Sequence, residues 1–388
     1  QIARVFPGNT AGYDRYLDYE AKKLAHLAPC LRLPYSSPTH LLRPTLAKAL
    51  PYLDAHKSLY SHLAGYFDAE ELRLAFTFQA KYLGMSPWEC PATYSIISFI
   101  EHSDGIHHPI GGLNQISEAM RQVVEEEGGT IHLGAPVDEV LVRNGAAVGV
   151  RLVGGEEVLG DYTVLNADFG YAMERLMPAG AIKKWSSPKL AKKGYSCSTF
   201  MLYLGVDRRY DSLPHHNILF ARDYRANVDD ISERKILSDD PSVYVQNASV
   251  TDPTLAPAGH STMYLLVPVA NNRSGIDWER EQDRYRDLAI RIAEERGGFT
   301  DLSRHIVVER RITPRQFETD LNVYQGAVFN LAHSIDQMLL FRPHNAFEEV
   351  RRCYLVGGGT HPGSGLPTIY ESGRISAGLI LKRDAWFR

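Results

Sequence analysis

Long apolar runs are what this chain most clearly lacks. None reaches the ~18 residues that a helix needs to cross a bilayer, so no segment reads as a spanning helix. Cysteine is scarce too. Cys30, Cys90, Cys197 and Cys353 form no C-x-x-C pair, a spacing that supports neither a zinc site nor a disulfide framework and suits a reducing cytosol. Positive charge is not in excess: 42 Lys and Arg stand against 46 Asp and Glu, a net charge of -4, which argues against a nucleic-acid partner. There is no G-x-S-x-G nucleophile elbow, no P-loop and no signal peptide. The 15 histidines show no metal spacing. His107-His108 and His215-His216 are adjacent pairs whose side chains cannot easily share one ion from a strand; they read as loop or surface residues, and no metal site is expected. The chain opens on Gln1 rather than Met, which leads us to expect a truncated or processed protein.

What is present is a chain of 388 residues, 44% apolar and 23% charged. That composition is ordinary for a globular protein, and the length calls for two domains or one large interleaved pair. Residues 11–85 read as helical, with Tyr16, Leu17, Tyr19, Leu24 and Leu27 near helical spacing. The stretch Leu41–Tyr66 mixes apolar residues with Arg43, Lys48, His56, Lys57 and His62, and Pro44 and Pro51 break it. It suits a helix packed on its own core or one lying on a bilayer surface. Gly111–Gly129 predicts a helix with Ile116, Met120, Val123 and Val124 on one face, stopped by Gly128-Gly129. Strands are predicted over 130–134, 137–145, 146–155 and 156–168, with hairpin signals at Asn144-Gly145 and Gly154-Gly155. β-type runs dominate from Ser196 to about Val269, and a helix follows near Trp278–Gly297.

The C-terminal part carries the strongest chemical signal. A buried strand, Cys353–Val356, leads into Gly357, Gly358, Gly359, Gly363 and Gly365 and then into a helix from about Pro367 to Arg383. Glycines let a backbone approach a ligand closely and adopt positive φ. A helix N-terminus offers free N–H groups and partial positive charge. The Gly357–Gly359 triplet is not a dinucleotide fingerprint, because no second strand and acidic ribose contact follow it. A tight turn packing the last helix would need one or two glycines rather than five, so the cluster points to a cofactor contact.

Several passages together resemble one family. They are "NTAGYDRYLDYE", "SLYSHLAGYFDAEELRLAFTFQAKYLGMSPWECPATYSII", "GIHHPIGGLNQISEAM", "STFMLYLGVDRRYDSLPHHNILFARDY", "VTDPTLAPAGHSTMYLLVPV", "FETDLNVYQGAVFN" and the closing "FRPHN" with "CYLVGGGTHPGSGLPTIYESGRISAGLIL". In this order they resemble bacterial phytoene desaturases, within the wider flavin amine oxidase group. The resemblance implies a mixed α/β flavoprotein of the two-dinucleotide-fold type, with a Rossmann-like FAD domain and a β-sheet substrate domain holding a long apolar tunnel. It implies four parts: a helical, membrane-associating region (1–100), the remainder of the FAD domain (101–190), the substrate domain (191–345) and a C-terminal segment completing the FAD domain (346–388). It also implies the reaction. Hydrogens leave a saturated C–C bond of a polyene of thirty or forty carbons, the hydride going to flavin N5 and the proton to a nearby base.

By motif match, Gly358, Gly359 and Thr360 should approach the flavin and its ribityl-phosphate end. Gly365, Leu366, Pro367 and Thr368 should cover the ring, and Val137 should meet the adenosine end through its backbone. Glu101, Asp320, Asn322 and Tyr324 fall in passages matched to the tunnel, with Glu101 or Asp320 offered as proton acceptor. Two departures stand out. The family's N-terminal strand–GxGxxG–helix is absent from 1–388, so this chain alone is expected to bind FAD weakly or not at all. Near "THLLRP", where the family carries an acidic residue, there are only His40 and Arg43. The apolar substrate implies a cytoplasmic enzyme peripheral on the inner face of the membrane, with homo-oligomerisation open. The alternatives are a related flavin oxidoreductase, such as an amine or porphyrinogen oxidase or a carotenoid isomerase, and a lipid-binding fragment that has lost FAD.

Overall fold

In the computed structural model, which describes residues 1–386, the first hundred residues are helical. The long helix α1 (Thr10–Leu31) buries Tyr16, Leu27 and Cys30. Beyond it the chain is cut into short turns, with Pro38 and Pro44 each opening one at a first-turn position that tolerates the missing N–H. Helix α2 (Ile96–Ser103) packs back on α1. Gly12 is required where α1 passes the turn at Tyr66, because a Cβ there would lie 1.9 Å from the Tyr66 carbonyl oxygen.

A polar cluster sits inside this helical part. Lys23 Nζ lies 3.1 Å from Glu20 Oε1 and 3.0 Å from Asp54 Oδ2, and it also donates to Ala92 O and Ser95 Oγ. His62 Nε2 is 2.8 Å from Glu20 Oε1, and Tyr19 donates to Asp54 at 2.8 Å. Glu20 and Lys23 are fully buried. These bonds tie α1 to three later segments, at Asp54, at His62 and at Ala92–Ser95, so the cluster sets how the broken segments stack.

Helix α3 (Asn114–Glu126) has no buried residue. Its apolar side, with Ile116, Met120, Val123 and Val124, lines an open groove of ≈ 540 Å³. Residues 130–134 were predicted as a strand but are coil and turn, with Leu133 87% exposed; among the described residues nothing pairs with them. Strands β1 (Val137–Arg143), β2 (Ala146–Leu152) and β3 (Glu157–Leu159) form an antiparallel meander. Its first turn uses Asn144 and Gly145, both at positive φ, as a tight hairpin turn requires. Strand β4 (Thr163–Leu165) leaves the meander and pairs in parallel with the last strand.

The largest sheet is antiparallel, ordered β6-β7-β8-β5-β9. Its strands are β5 (Ser198–Val206), β6 (His216–Leu219), β7 (Val243–Asn247), β8 (Ser261–Val269) and β9 (Ile306–Ile312). On one face Phe200, Leu202, Leu204, Val245, Leu265 and Val267 form a core with Trp278, Tyr285, Leu288 and Ile292 of helix α4 (Trp278–Gly297). Asp277 caps α4 by accepting from Glu279 N and Arg280 N, and Gly298 closes it at φ 76°. By the period-2 rule the alternate residues Thr199, Met201, Tyr203, Tyr244, Tyr264 and Leu266 face the other way. Helix α5 (Pro314–Thr319) abuts β5 and β9. Strand β10 (Cys353–Leu355) and helix α6 (Leu366–Trp386) end the chain.

Removing one member of a buried ionic cluster strands its partners in a low-dielectric interior. The Lys23→Met substitution is expected to lower the unfolding free energy by about 3–5 kcal/mol, read as a shift of the urea midpoint. A shift no larger than that of an exposed Lys22→Met control would contradict this role.

Candidate functional site

The site is built where two parallel strands end together. Thr163, Val164 and Leu165 of β4 pair with Cys353, Tyr354 and Leu355 of β10. Beyond them β4 runs into Asn166-Ala167-Asp168 and β10 into the glycine loop. The crevice past the carboxyl ends of parallel strands is where open α/β sheets bind ligands. Gly357, Gly363 and Gly365 take φ values of 93°, 130° and 111°, a region that other residues avoid. A Cβ on Gly359 would meet Phe169 Cβ at 2.4 Å, and one on Gly363 would meet His333 Nε2 at 2.6 Å.

The inner side of the loop is packed shut. The space between Leu165, Phe169, Leu355, Gly359 and Thr360 is only ≈ 10 Å³, room for about one water. The loop is pinned by Ser372 Oγ, which accepts from Gly357 N at 2.8 Å, and by Ser364 Oγ, which donates to Phe329 O at 2.6 Å. Thr360 Oγ1 donates to Pro343 O, and Ser364 N donates to His333 Nε2 at 2.9 Å. Arg342 donates to the carbonyls of Gly358 and Thr360. Thr368 Oγ1 turns back on Ser364 O and Gly365 O. The outer side is open: Gly365, Leu366 and Pro367 are exposed, Leu366 at 47%, and they begin the 21-residue helix α6. Side-chain-free backbone and an open helix N-terminus fit a flat ring with an anionic tail, as a flavin dinucleotide has.

Burial shapes the electrostatics here. It raises the Asp168 carboxyl above its ordinary value, although Asp168 accepts from Tyr171 N at 3.0 Å and from Asn330 Nδ2 at 2.6 Å. It pushes His361 down to about 3, with the Arg342 charge adding to the effect, and holds His333 well below its usual value. Asp168, Asn330, His333 and Arg342 all border the loop and were not singled out from sequence. "LNAD" after a strand and the family-matched passages ending in Asn330 and holding Arg342 marked their neighbourhoods, but their meeting at the loop is contact across distant segments.

Of the residues singled out from sequence, Gly358, Gly359, Thr360, Gly365, Leu366, Pro367 and Thr368 come together in this loop and the first turn of α6. Val137 opens β1 and packs against the core that holds Leu355 and Cys353. Glu101 lies on α2, half-buried, accepting from Gln79 Nε2 at 2.7 Å. Asp320 is exposed at the end of α5, where Thr319 donates to it. Asn322 is exposed, with φ 57°. Tyr324 is buried, with its hydroxyl on Glu174 Oε1 at 3.1 Å and its ring against Gly170. Among the described residues, no group of three or more His, Cys, Asp or Glu is placed to hold a metal, and no helix is long and apolar enough to cross a membrane.

Residues 37–381 match the family of flavin containing amine oxidoreductases. The chain is 51% identical over 383 residues to a 4,4'-diapophytoene desaturase (4,4'-diapolycopene-forming) of Methylomonas sp, covering 99% of this chain and 75% of that protein. It is 39% identical to the zeta-carotene-forming phytoene desaturase of Myxococcus xanthus, covering 97% and 72%. In fold it is similar to putrescine oxidase bound to putrescine, with TM-score 0.54, 12% identity and coverage of 97% and 77%. Similarity across nearly the whole chain, with the glycine loop and most of α6 inside the matched region, makes this an FAD-dependent oxidoreductase acting on carbon–carbon bonds. The chain belongs to the flavin-containing amine oxidoreductase family and, within it, to the carotenoid desaturases.

Proposed function

We propose that this chain desaturates a linear polyene precursor of thirty carbons, which lies along the open face of the five-stranded sheet with its reacting bond against the outer side of the glycine loop. The observation that carries the reading is a gradient along β5. Tyr203 is 40% exposed, whereas Met201 and Thr199 on the same face are 6% and 4% exposed. The buried end is tied to the glycine loop: Phe329 N donates to Ser196 Oγ, and Ser364 Oγ donates to Phe329 O. Flat rings line the track. Tyr264 lies 5.9 Å from Tyr203 and 5.6 Å from Tyr244, and Phe78 of the helical part lies 6.3 Å from Tyr244. Such a floor offers a polyene broad apolar ring faces. Thirty carbons are preferred because identity to the Methylomonas 4,4'-diapophytoene desaturase exceeds that to the Myxococcus phytoene desaturase.

FAD, when bound, supplies the acceptor for the hydride. The outer residues Gly365, Leu366 and Pro367 face its ring in this reading, with Gly358, Gly359 and Thr360 behind them and Val137 toward the adenosine end. The chain's own residues align the polyene, exclude water from the reacting bond and take its proton. Glu101 is the proposed acceptor. Burial raises its carboxyl, and its partner Gln79 adjoins Phe78, which packs over the track. Asp320, near Asn322 and Tyr324, is the weaker candidate, because it is exposed.

The helical part also presents Leu41, Leu42 and Leu50 to solvent, at 39%, 82% and 58% exposure, with Arg43 and Lys48 among them. Leu339, two residues from exposed Phe341, packs against the buried cluster of Leu27, Tyr35, Leu46 and Ala49 in this helical part. Apolar side chains ringed by cations suit the surface of an anionic bilayer, from which an apolar substrate would enter.

Cells making colourless diapophytoene should turn coloured when they carry the full-length protein; absence of new pigment from a flavin-loaded enzyme would contradict the function. The Glu101→Gln variant is expected to lose roughly 100-fold in kcat with KM little changed. Glu101 acts as a base only when ionised, so the wild-type rate should fall as pH drops through its raised pKa, with the inflection above the ordinary carboxylate range. An identical profile in Glu101→Gln would remove Glu101 from the reaction. The Leu42→Glu/Leu50→Glu protein should co-sediment less with vesicles of anionic phospholipid, and unchanged binding would contradict the membrane face.

A further inference from the structure

Arg342 is completely buried, and no carboxylate of the described residues lies within ion-pair distance of it. Its hydrogen bonds go to backbone oxygens: Nε to Thr360 O at 3.1 Å, Nη1 to Ala332 O and Gln337 O at 3.4 Å each, and Nη2 to Leu331 O at 3.2 Å and Gly358 O at 2.6 Å. These carbonyls satisfy its protons but leave its charge uncompensated. A lone buried charge is costly unless something balances it. The side chains around it add no negative charge. His333 accepts from Ser364 N, and burial together with the guanidinium keeps both His333 and His361 neutral. Tyr94 stands edge-on to His333 with centroids 6.0 Å apart, and Tyr35 does the same to His361 at 4.9 Å. Both tyrosines are held in the neutral phenol form by burial. The guanidinium therefore has no anion in contact with it, because Asp168, the buried carboxyl bordering the loop, is taken up by Tyr171 N and Asn330 Nδ2; two of the five backbone anchors of Arg342, Gly358 and Thr360, belong to the loop itself.

We propose that the counter-charge of Arg342 is the negative charge that a flavin ring acquires on accepting a hydride, so that Arg342 is a positioning residue that raises the flavin's reduction potential through the glycine loop. This rests on reading the loop as the flavin wall. The charge balance is simple. A neutral oxidised ring that takes a hydride becomes an anion, and the substrate's second hydrogen leaves as a proton to the base. A fixed cation behind the loop favours the anionic product over the neutral reactant, in a medium where Coulomb interactions are weakly screened. It also holds the two carbonyls inward, which keeps their negative ends away from the ring.

The test uses the full-length, FAD-loaded protein. Two readouts are independent of turnover: the flavin midpoint potential, and the affinity for sulfite, which adds to flavin N5 and leaves the ring anionic. Arg342→Gln removes the charge. Met338→Glu keeps Arg342 and supplies a carboxylate where a sulfur now lies 3.6 Å from Nη1, so it remains informative where the first variant does not fold. Each is expected to bind stoichiometric FAD, to show a more negative midpoint potential and to weaken sulfite binding at least tenfold. Arg342→Lys should stay closer to wild type in both. Variants that retain FAD with unchanged potential and sulfite affinity would reduce Arg342 to a loop clamp and overturn the proposal. A wild-type protein that binds no FAD would instead sink the functional reading beneath it.

Discussion

A backbone that leaves the buried end of a strand must find partners for its polar groups while staying bare on the side that meets a ligand. The rest of this structure depends on how the segment after β10 meets that demand. Its inward backbone groups are taken up by Ser372, His333 and Arg342, while its own Ser364 and Thr360 hydroxyls donate to Phe329 O and Pro343 O. Its outward side begins at Gly365, which is exposed at a φ that other residues avoid. Because the inner space is almost closed, a ligand can lie only on the outer side, where α6 begins. The clamp draws on residues between 329 and 345 as well as on the loop, so the stretch linking the large sheet to β10 is part of the site.

In the proposed reading the same contacts join the cofactor side to the substrate side. Phe329 and Ser196 connect the loop to the inner end of β5, and Asn271 donates to Ser196 O from the end of β8. The helical part reaches the same place at Gly84, where a Cβ would strike Ser196 and Phe329. Roof, floor and wall meet there, at the buried end of the aromatic track. A polyene following the track would arrive at the loop end-on along the strands. That orientation places one bond at a time beside the ring and leaves the outer end of the chain near Tyr203.

Much of this was legible in the sequence where local chemistry decides the outcome. The helix over Trp278–Gly297, the hairpin at Asn144-Gly145 and the strand–glycine–helix order of the C-terminal part all follow from caps, turn residues and periodicity. The predicted strand at 130–134 failed because its alternation is real but nothing among the described residues pairs with it. His333 carried no signal, and Arg342, although inside the matched "FRPHN", carried none of its burial, since an arginine beside a proline in a loop ordinarily faces water. Only contacts with segments up to about 30 residues away show them to be buried under the loop. The passage that suggested Asp320, Asn322 and Tyr324 as tunnel residues folds into a turn whose tyrosine is committed to Glu174 and Gly170. Sequence likeness marks such a passage without saying which way its side chains point.

The account's central claim is that the outer face of the glycine loop and the first turn of α6 form the wall of the flavin site. Amide hydrogen exchange of the full-length protein, compared with and without bound FAD, reads that wall directly. Peptides spanning residues 357–370 should exchange more slowly with FAD bound, while those of the α4-facing sheet core stay unchanged. Stoichiometric FAD with no added protection in 357–370 would contradict the account.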